Sequence, residues 1–168
     1  MEPQLRRVSG EKTGRNPTDR GKPGPKHSVI VQESGRPLDV VIDGANVHDT
    51  TLLEATIEAI VVERPQPTPK QQQHLCLDKG YDNPTGRQAA VDHQYTPHIR
   101  RIGQQKAVPR GDNNYKPRRW VVERTLAWLS KCRAILVRYD KHWFNYLGLI
   151  QLACALLWFR RLHRLSTA

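Results

Sequence analysis

Runs of β-branched residues take turns along this chain with runs at helical spacing, and that order limits its fold more than any other feature. His27-Ser-Val-Ile-Val-Gln32 reads as a strand, Ser34-Gly-Arg-Pro37 as a turn and Leu38 to Ile42 as a second strand, together an antiparallel hairpin. Thr51-Leu-Leu-Glu54 is a capping-box pattern, followed at helical spacing by Leu52, Leu53, Thr56, Ile57, Ile60 and Val61. Pro65, Pro67 and Pro69 end that helix, since proline brings no backbone N–H. His74 to Asp78 is a short buried-type strand, and Asn83-Pro84 opens a helix that should run to about His93. Gln94 to Arg100 reads as the last strand and residues 101–117 as a basic loop. Arg118 to about Cys132 and Phe144 to about Arg164 read as helices, the second long and apolar on most of its surface. The succession predicts an α/β domain with one core and one mixed sheet, a hairpin followed by parallel strands joined through helices. Residues 1–26, rich in Gly, Pro, Arg and Lys, form an extended leading segment, and residues 27–168 the domain.

Composition removes several classes. At 168 residues the chain is about one domain long, and a mean hydropathy of −0.67 with 38% hydrophobic residues is polar without demanding disorder. The apolar stretch Phe144 to Phe159 has 16 residues, short of the roughly 18–20 that span a bilayer. Cys76, Cys132 and Cys154 are far apart, so neither a disulfide framework nor a zinc cage is indicated. Charge is more telling. The net charge is +11, yet residues 1–84 hold 11 Lys/Arg against 12 Asp/Glu, while residues 85–168 hold 16 against 4. A positive field gathered in one half suggests a polyanionic partner, most often nucleic acid.

Three features could carry chemistry. Asp78 closes a strand-type run just before Lys79-Gly80. In α/β folds ligands gather at the carboxyl ends of strands, and a carboxylate there suits a hard cation. The other reading is a turn-initiating Asp bonding the next backbone amides. Asp82 is better placed as a helix-start residue. Glu123 is the one acid among the basic residues Lys116, Arg118, Arg119, Arg124, Lys131, Arg133 and Arg138. On a helix it falls opposite the apolar face of Val121, Thr125, Trp128 and Cys132, beside Arg119, Ala127 and Ser130, either as a functional carboxylate or as a surface ion pair. The seven histidines show no pair at i, i+4 and no H-E-x-x-H, which argues against a zinc hydrolase.

Five blocks together resemble the DDE transposases of bacterial insertion sequences, in the group with a ribonuclease-H-like catalytic core. They are Gly10-Glu-Lys-Thr-Gly-Arg-Asn-Pro-Thr-Asp-Arg-Gly-Lys-Pro-Gly-Pro-Lys-His27, Gly44-Ala-Asn-Val-His-Asp49, Asp78-Lys-Gly-Tyr-Asp82, Arg119-Trp-Val-Val-Glu-Arg-Thr-Leu-Ala-Trp128 and Leu152-Ala-Cys-Ala-Leu-Leu-Trp158. The resemblance implies a ribonuclease-H-like mixed sheet flanked by helices. It implies DNA strand cleavage and transfer with Mg²⁺ or Mn²⁺ held by three carboxylates, one ion activating water or a 3′-hydroxyl and the other stabilising the leaving oxygen. By motif, Asp78 is the family's second acid and Glu123 its third, both metal ligands, and Lys116, Arg118, Arg119, Arg124, Lys131 and Arg133 are the expected DNA contacts.

Two departures follow from the same comparison. Around Glu123, Arg119 keeps the family's spacing, but Tyr115 lies one residue too far away and Ser130 stands where the family has Lys. The first acid belongs on an opening strand upstream of Gly10-Glu-Lys-Thr, a position that projects onto Met1 or before it. The expectation is therefore an N-terminally truncated catalytic domain, lacking the complete first strand and impaired in strand transfer. Its expected partner is DNA, at the element ends and the target, with no membrane. Its expected location is the bacterial cytoplasm at the nucleoid, and a homo-oligomer or an upstream-frame partner product is compatible with the pattern. The competing readings are a non-catalytic basic DNA-binding protein, a decayed remnant, or an RNA-associated structural protein.

Overall fold

The structure, a computed structural model, describes residues 10–99 and 119–167. The hairpin anticipated from the sequence is present as β2 (Pro23–Val31) and β3 (Pro37–Gly44), paired antiparallel, with a short β1 (Gly14–Arg15) on the outer edge of β2. After it come α1 (Asp49–Glu58), β4 (Gln73–Leu77), a single 3₁₀ turn at Lys79–Tyr81, α2 (Pro84–Asp92) and β5 (Tyr95–Ile99). The chain then forms α3 (Arg119–Leu129), a one-turn α4 (Arg133–Leu136) and α5 (Trp143–Ser166). The fold is a mixed α/β arrangement, with one difference from the expected single sheet. Among the described residues, β1–β2–β3 is one antiparallel sheet and β4–β5 a separate parallel pair.

Alternation along β2 explains how the layers form. His27 and Val29 point toward α5, whereas Ser28 and Ile30 point toward α1, as the two-residue period of a strand requires. On the α5 side, Val40, Ile42, Leu129, Ile135, Tyr146, Ile150 and Ala153 form one buried cluster. On the other side Leu53, Ile57, Leu75 and Ala90 form a second, joined by Ile30, Leu77, Tyr81 and Tyr95. The expected single core is thus two clusters, because the hairpin is apolar on both faces and is covered on each. Helix α1 belongs to both sheets: Thr56 donates to Ser28 Oγ at 2.7 Å, while Leu53 and Ile57 reach Leu75 of β4.

Local signals account for most boundaries. Asn83 caps α2, its side chain accepting from Gly86 N at 2.7 Å with Pro84 in the first turn, as the sequence indicates. Helix α1 begins earlier than the Thr51 capping box suggests. His48 is the cap, its Nδ1 taking Thr50 N, so Thr51 lies inside the first turn and its hydroxyl turns back to His48 O at 2.7 Å. From Gly10 onward the leading segment is pinned to the rest of the fold. Buried Arg138 donates to Glu11 O (2.8 Å), Asp140 O (2.9 Å) and Lys141 O (3.1 Å), and Lys12 lies 4.6 Å over the Trp143 ring. Gly14 is needed there, since a Cβ would run into the Asn46 side-chain oxygen.

Helix α5 is long, 24 residues, and few of its apolar residues are buried. Asn145, Gln151, Arg160, Arg161, His163 and Arg164 interrupt it, and only Tyr146, Ile150 and Ala153 are buried. No described helix is long and apolar enough to cross a membrane. The helix is anchored through Trp158 Nε1, which donates to Pro37 O at 2.8 Å, and through Tyr146. The Tyr146 hydroxyl gives its one proton to Ile135 O at 2.6 Å, so the His27 Nε2 at 2.9 Å is the donor to it and carries a proton.

Burial holds the His27 pKa below the ordinary histidine value and pushes the Tyr146 phenol up to about 12. With a lowered folded pKa, the unfolded chain binds the extra proton. Stability is therefore complete above the unfolded histidine pKa and declines as pH falls below it. Urea unfolding should give a smaller free energy at about pH 5.5 than at about pH 8, with a shallower decline in His27→Gln. Tyr146→Phe should cost about 1–3 kcal/mol by stranding the His27 N–H and the Ile135 carbonyl.

Candidate active site

Asp78 stands at the carboxyl end of β4, in extended conformation (φ −74°, ψ 166°), and caps the turn that follows. Its Oδ1 accepts from Lys79 N at 2.6 Å and its carbonyl from Tyr81 N at 3.0 Å. The turn-initiating reading is seen directly, and the carboxylate is exposed at the strand end. Leu75 and Leu77 fix its direction by packing under α1, leaving His74 and Cys76 to the opposite face of β4.

Sequence reasoning gave Asp49 no role, yet its charge and that of Asp78 both act on the Tyr81 phenol. The Tyr81 phenol is pushed up to about 12, first by burial and then by the charges of Asp49 and Asp78. Two acids that both raise the same phenol create a local negative potential in an otherwise basic chain. Asp49 is balanced in part by Lys26, whose Nζ is 3.0 Å from it and also donates to Val47 O at 2.7 Å. Its position as the first residue of a helix just beyond Gly44-Ala-Asn was the available signal. Asp82 is committed elsewhere, paired with Arg87 at 2.5 Å at the start of α2.

Glu123 lies on α3 with its side chain exposed, on the side away from buried Val121, Thr125 and Leu129, as helical spacing predicts. Helix α3 rests on β2 and α5, whereas Asp78 sits in the β4 corner beside α1 and α2. Thr125 holds α3 to the hairpin turn by donating to Gly35 O at 2.8 Å, and Arg124 donates to Ser34 O at 3.0 Å while lying 4.8 Å over the Trp120 ring. Gly35 itself is left-handed (φ 85°), and a Cβ there would meet the Arg124 guanidinium. Lys131 and Arg133 are exposed at the α3–α4 junction. Arg119 opens α3, and Lys116, Arg118 and Tyr115 lie outside the described residues. A polar cleft of about 200 Å³, lined by Arg64, Gln73, His93 and Gln94 among others, includes neither Asp78 nor Glu123.

The sequence profile of the "Transposase DDE domain" family matches residues 4–158. The chain belongs to that family. It is 36% identical over 161 residues, 95% of this chain and 74% of the other, to the Burkholderia cepacia protein named "Putative transposase for insertion sequence element IS402". No solved structure matches it significantly. This membership agrees with the resemblance carried by the five blocks.

The cap and the charge of Asp78 separate experimentally. Asp78→Asn keeps an acceptor for Lys79 N and should leave stability within ~0.5 kcal/mol of the parent, whereas Asp78→Ala should cost about 1 kcal/mol by losing the cap. Thermal unfolding of the two variants side by side measures the difference.

Proposed function

We propose that this chain is the catalytic-domain portion of a transposase acting in DNA transposition of an insertion sequence, by metal-dependent cleavage and transfer of DNA strands. The observation that carries the reading is the family match over residues 4–158, and the resemblance of the sequence blocks assigns Asp78 and Glu123 as its acids. The name of the Burkholderia relative supports an insertion sequence as the element concerned. A hairpin, a helix and a parallel strand pair with an acid at a strand's carboxyl end are compatible with a ribonuclease-H-like core.

The donor chemistry at Asp78 fits a hard divalent cation, Mg²⁺ or Mn²⁺. Its carboxylate is exposed, its orientation is set by Lys79 N–H, and with Asp49 it concentrates negative potential around Tyr81. Asp78 and Glu123 are the residues that would hold the metal. When bound, such a cation polarises the phosphoryl oxygen and lowers the pKa of attached water. The chain's own contribution is to fix the carboxylate on a strand end and to hold the phosphate backbone with exposed cations. Lys131 and Arg133 suit that task better than Arg124, which is engaged with Ser34 and Trp120. The proposed setting is the bacterial cytoplasm, on element ends and target DNA.

A second reading, a non-catalytic DNA-binding protein, draws on the charge excess of residues 85–168. Labelled DNA carrying an element end, incubated with the chain and Mn²⁺ or Mg²⁺, separates the two. Binding should fall steeply with salt, by ~10³-fold or more between about 50 and 200 mM if six or more phosphates are neutralised. Residual nicking should drop at least ~100-fold in Asp78→Asn and Glu123→Gln with binding retained. Nicking that survives both substitutions would remove these residues from the catalytic assignment. Tight, salt-sensitive binding without any nicking would establish the second reading.

A further inference from the structure

Helices α1 and α2 pack side by side, and their carboxyl ends bring together a donor set unrelated to Asp78 and Glu123. Glu54 and Glu58 are one turn apart on α1, and His93 is the residue that ends α2; one ligand atom from each lies within 4.8 Å of the others. We propose that Glu54, Glu58 and His93 form a binding site for a divalent transition-metal ion of the zinc type, which clips α1 to α2.

Four observations support it. The set is mixed, two carboxylate oxygens and an imidazole nitrogen drawn from two separate helices, which suits zinc-like ions better than Mg²⁺ or Ca²⁺. Among the described residues, no hydrogen bond or ion pair engages these three side chains, although the other acids of the same helices are satisfied: Asp49 by Lys26 and Asp92 by Gln88. Glu54 and Glu58, one turn apart on the same helix face, repel each other as like charges at i, i+4, and a cation between them relieves that repulsion. Glu58 is the last residue of α1 and His93 the cap of α2, so both helices present their carbonyl ends, the negative poles of their dipoles, to the same place.

The geometry is within reach. Tetrahedral zinc with ligands at about 2.0–2.2 Å needs donors roughly 3.4 Å apart. The donors therefore have to close by at most about 1.5 Å, which rotation of exposed glutamate side chains supplies. His93 is fixed in place by the backbone: its N–H reaches Ala89 O at 3.3 Å, and Gln94 turns left-handed (φ 62°) directly after it. Three protein ligands leave a fourth position for water. The site is independent of the proposed transposase chemistry, and holding α1 to α2 braces the core cluster beneath the Asp78 corner.

Titrating the metal-free chain with Zn²⁺, and with Co²⁺ as a spectroscopic stand-in, tests the proposal. The expected result is one saturable site and a melting temperature that rises with zinc concentration. The Co²⁺ spectrum should lack a thiolate charge-transfer band, because no cysteine belongs to the set. Glu58→Gln and His93→Gln should each weaken binding at least ~10-fold. Glu58→Lys provides a check on folding. It puts a cation beside Glu54, so the metal-free protein should melt higher and its response to zinc should vanish. Affinity unchanged in Glu58→Gln and His93→Gln would overturn the assignment, as would absence of a saturable site. Loss of binding in His98→Gln instead would also overturn it, moving the ion to the His74–His98 pair, whose ring nitrogens are 2.8 Å apart.

Discussion

The hairpin of β2 and β3 is the only part of the described chain covered by helices on both faces, and the placement of the other elements follows from that coverage. Because side chains alternate, the strand that gives Val29 and His27 to one cluster gives Ile30 and Ser28 to the other. Burying both faces creates polar obligations as well as apolar contacts, and they are met by specific pairs. His27 donates to Tyr146, Tyr146 to Ile135 O, and Thr56 to Ser28. No buried side-chain polar atom of the described residues lacks a partner. In a core this small each such pair matters, since an orphaned polar group costs more than a typical hydrogen bond contributes.

Much of this was legible in the sequence, and the misses have physical causes. The hairpin, the Asn83 cap, the β4 and β5 strands and the polar outer side of α3 at Glu123 all follow from local signals of period, cap and turn. The early start of α1 was missed because His48 caps through a ring nitrogen, which ordinary cap preferences do not highlight. The split into two sheets could not be read from strand order, since pairing depends on which edges meet in space. In helix α5 the arginines cluster in the final turns, beyond the uncharged stretch. Of the site, Asp78 was visible through its position between a strand and a Lys-Gly pair. Asp49 was not, because only the fold brings its charge to bear on Tyr81.

The basic residues of the second half divide into two kinds. Arg138 is buried and spends its guanidinium on three carbonyls, and Arg124 is divided between Ser34 and Trp120. Lys131 and Arg133 remain exposed. A guanidinium makes several directed donations at once and retains its charge when desolvated, so arginine serves structural roles that lysine fills poorly. Net charge alone therefore overstates how many cations of this family member stand ready for a polyanion. The chemistry proposed at Asp78 relies on the exposed subset.

Helix α1 touches both sheets, and this has a consequence for how the molecule opens. The antiparallel and parallel units share no ladder hydrogen bonds among the described residues, so the ten residues of α1 act as a common keystone between them. Lifting that helix would uncover Ile30 and Leu75 together. Backbone amides of β2 and β4, in different sheets, would then become exchangeable in the same event, making them one cooperative unit defined by a shared lid rather than by a shared ladder.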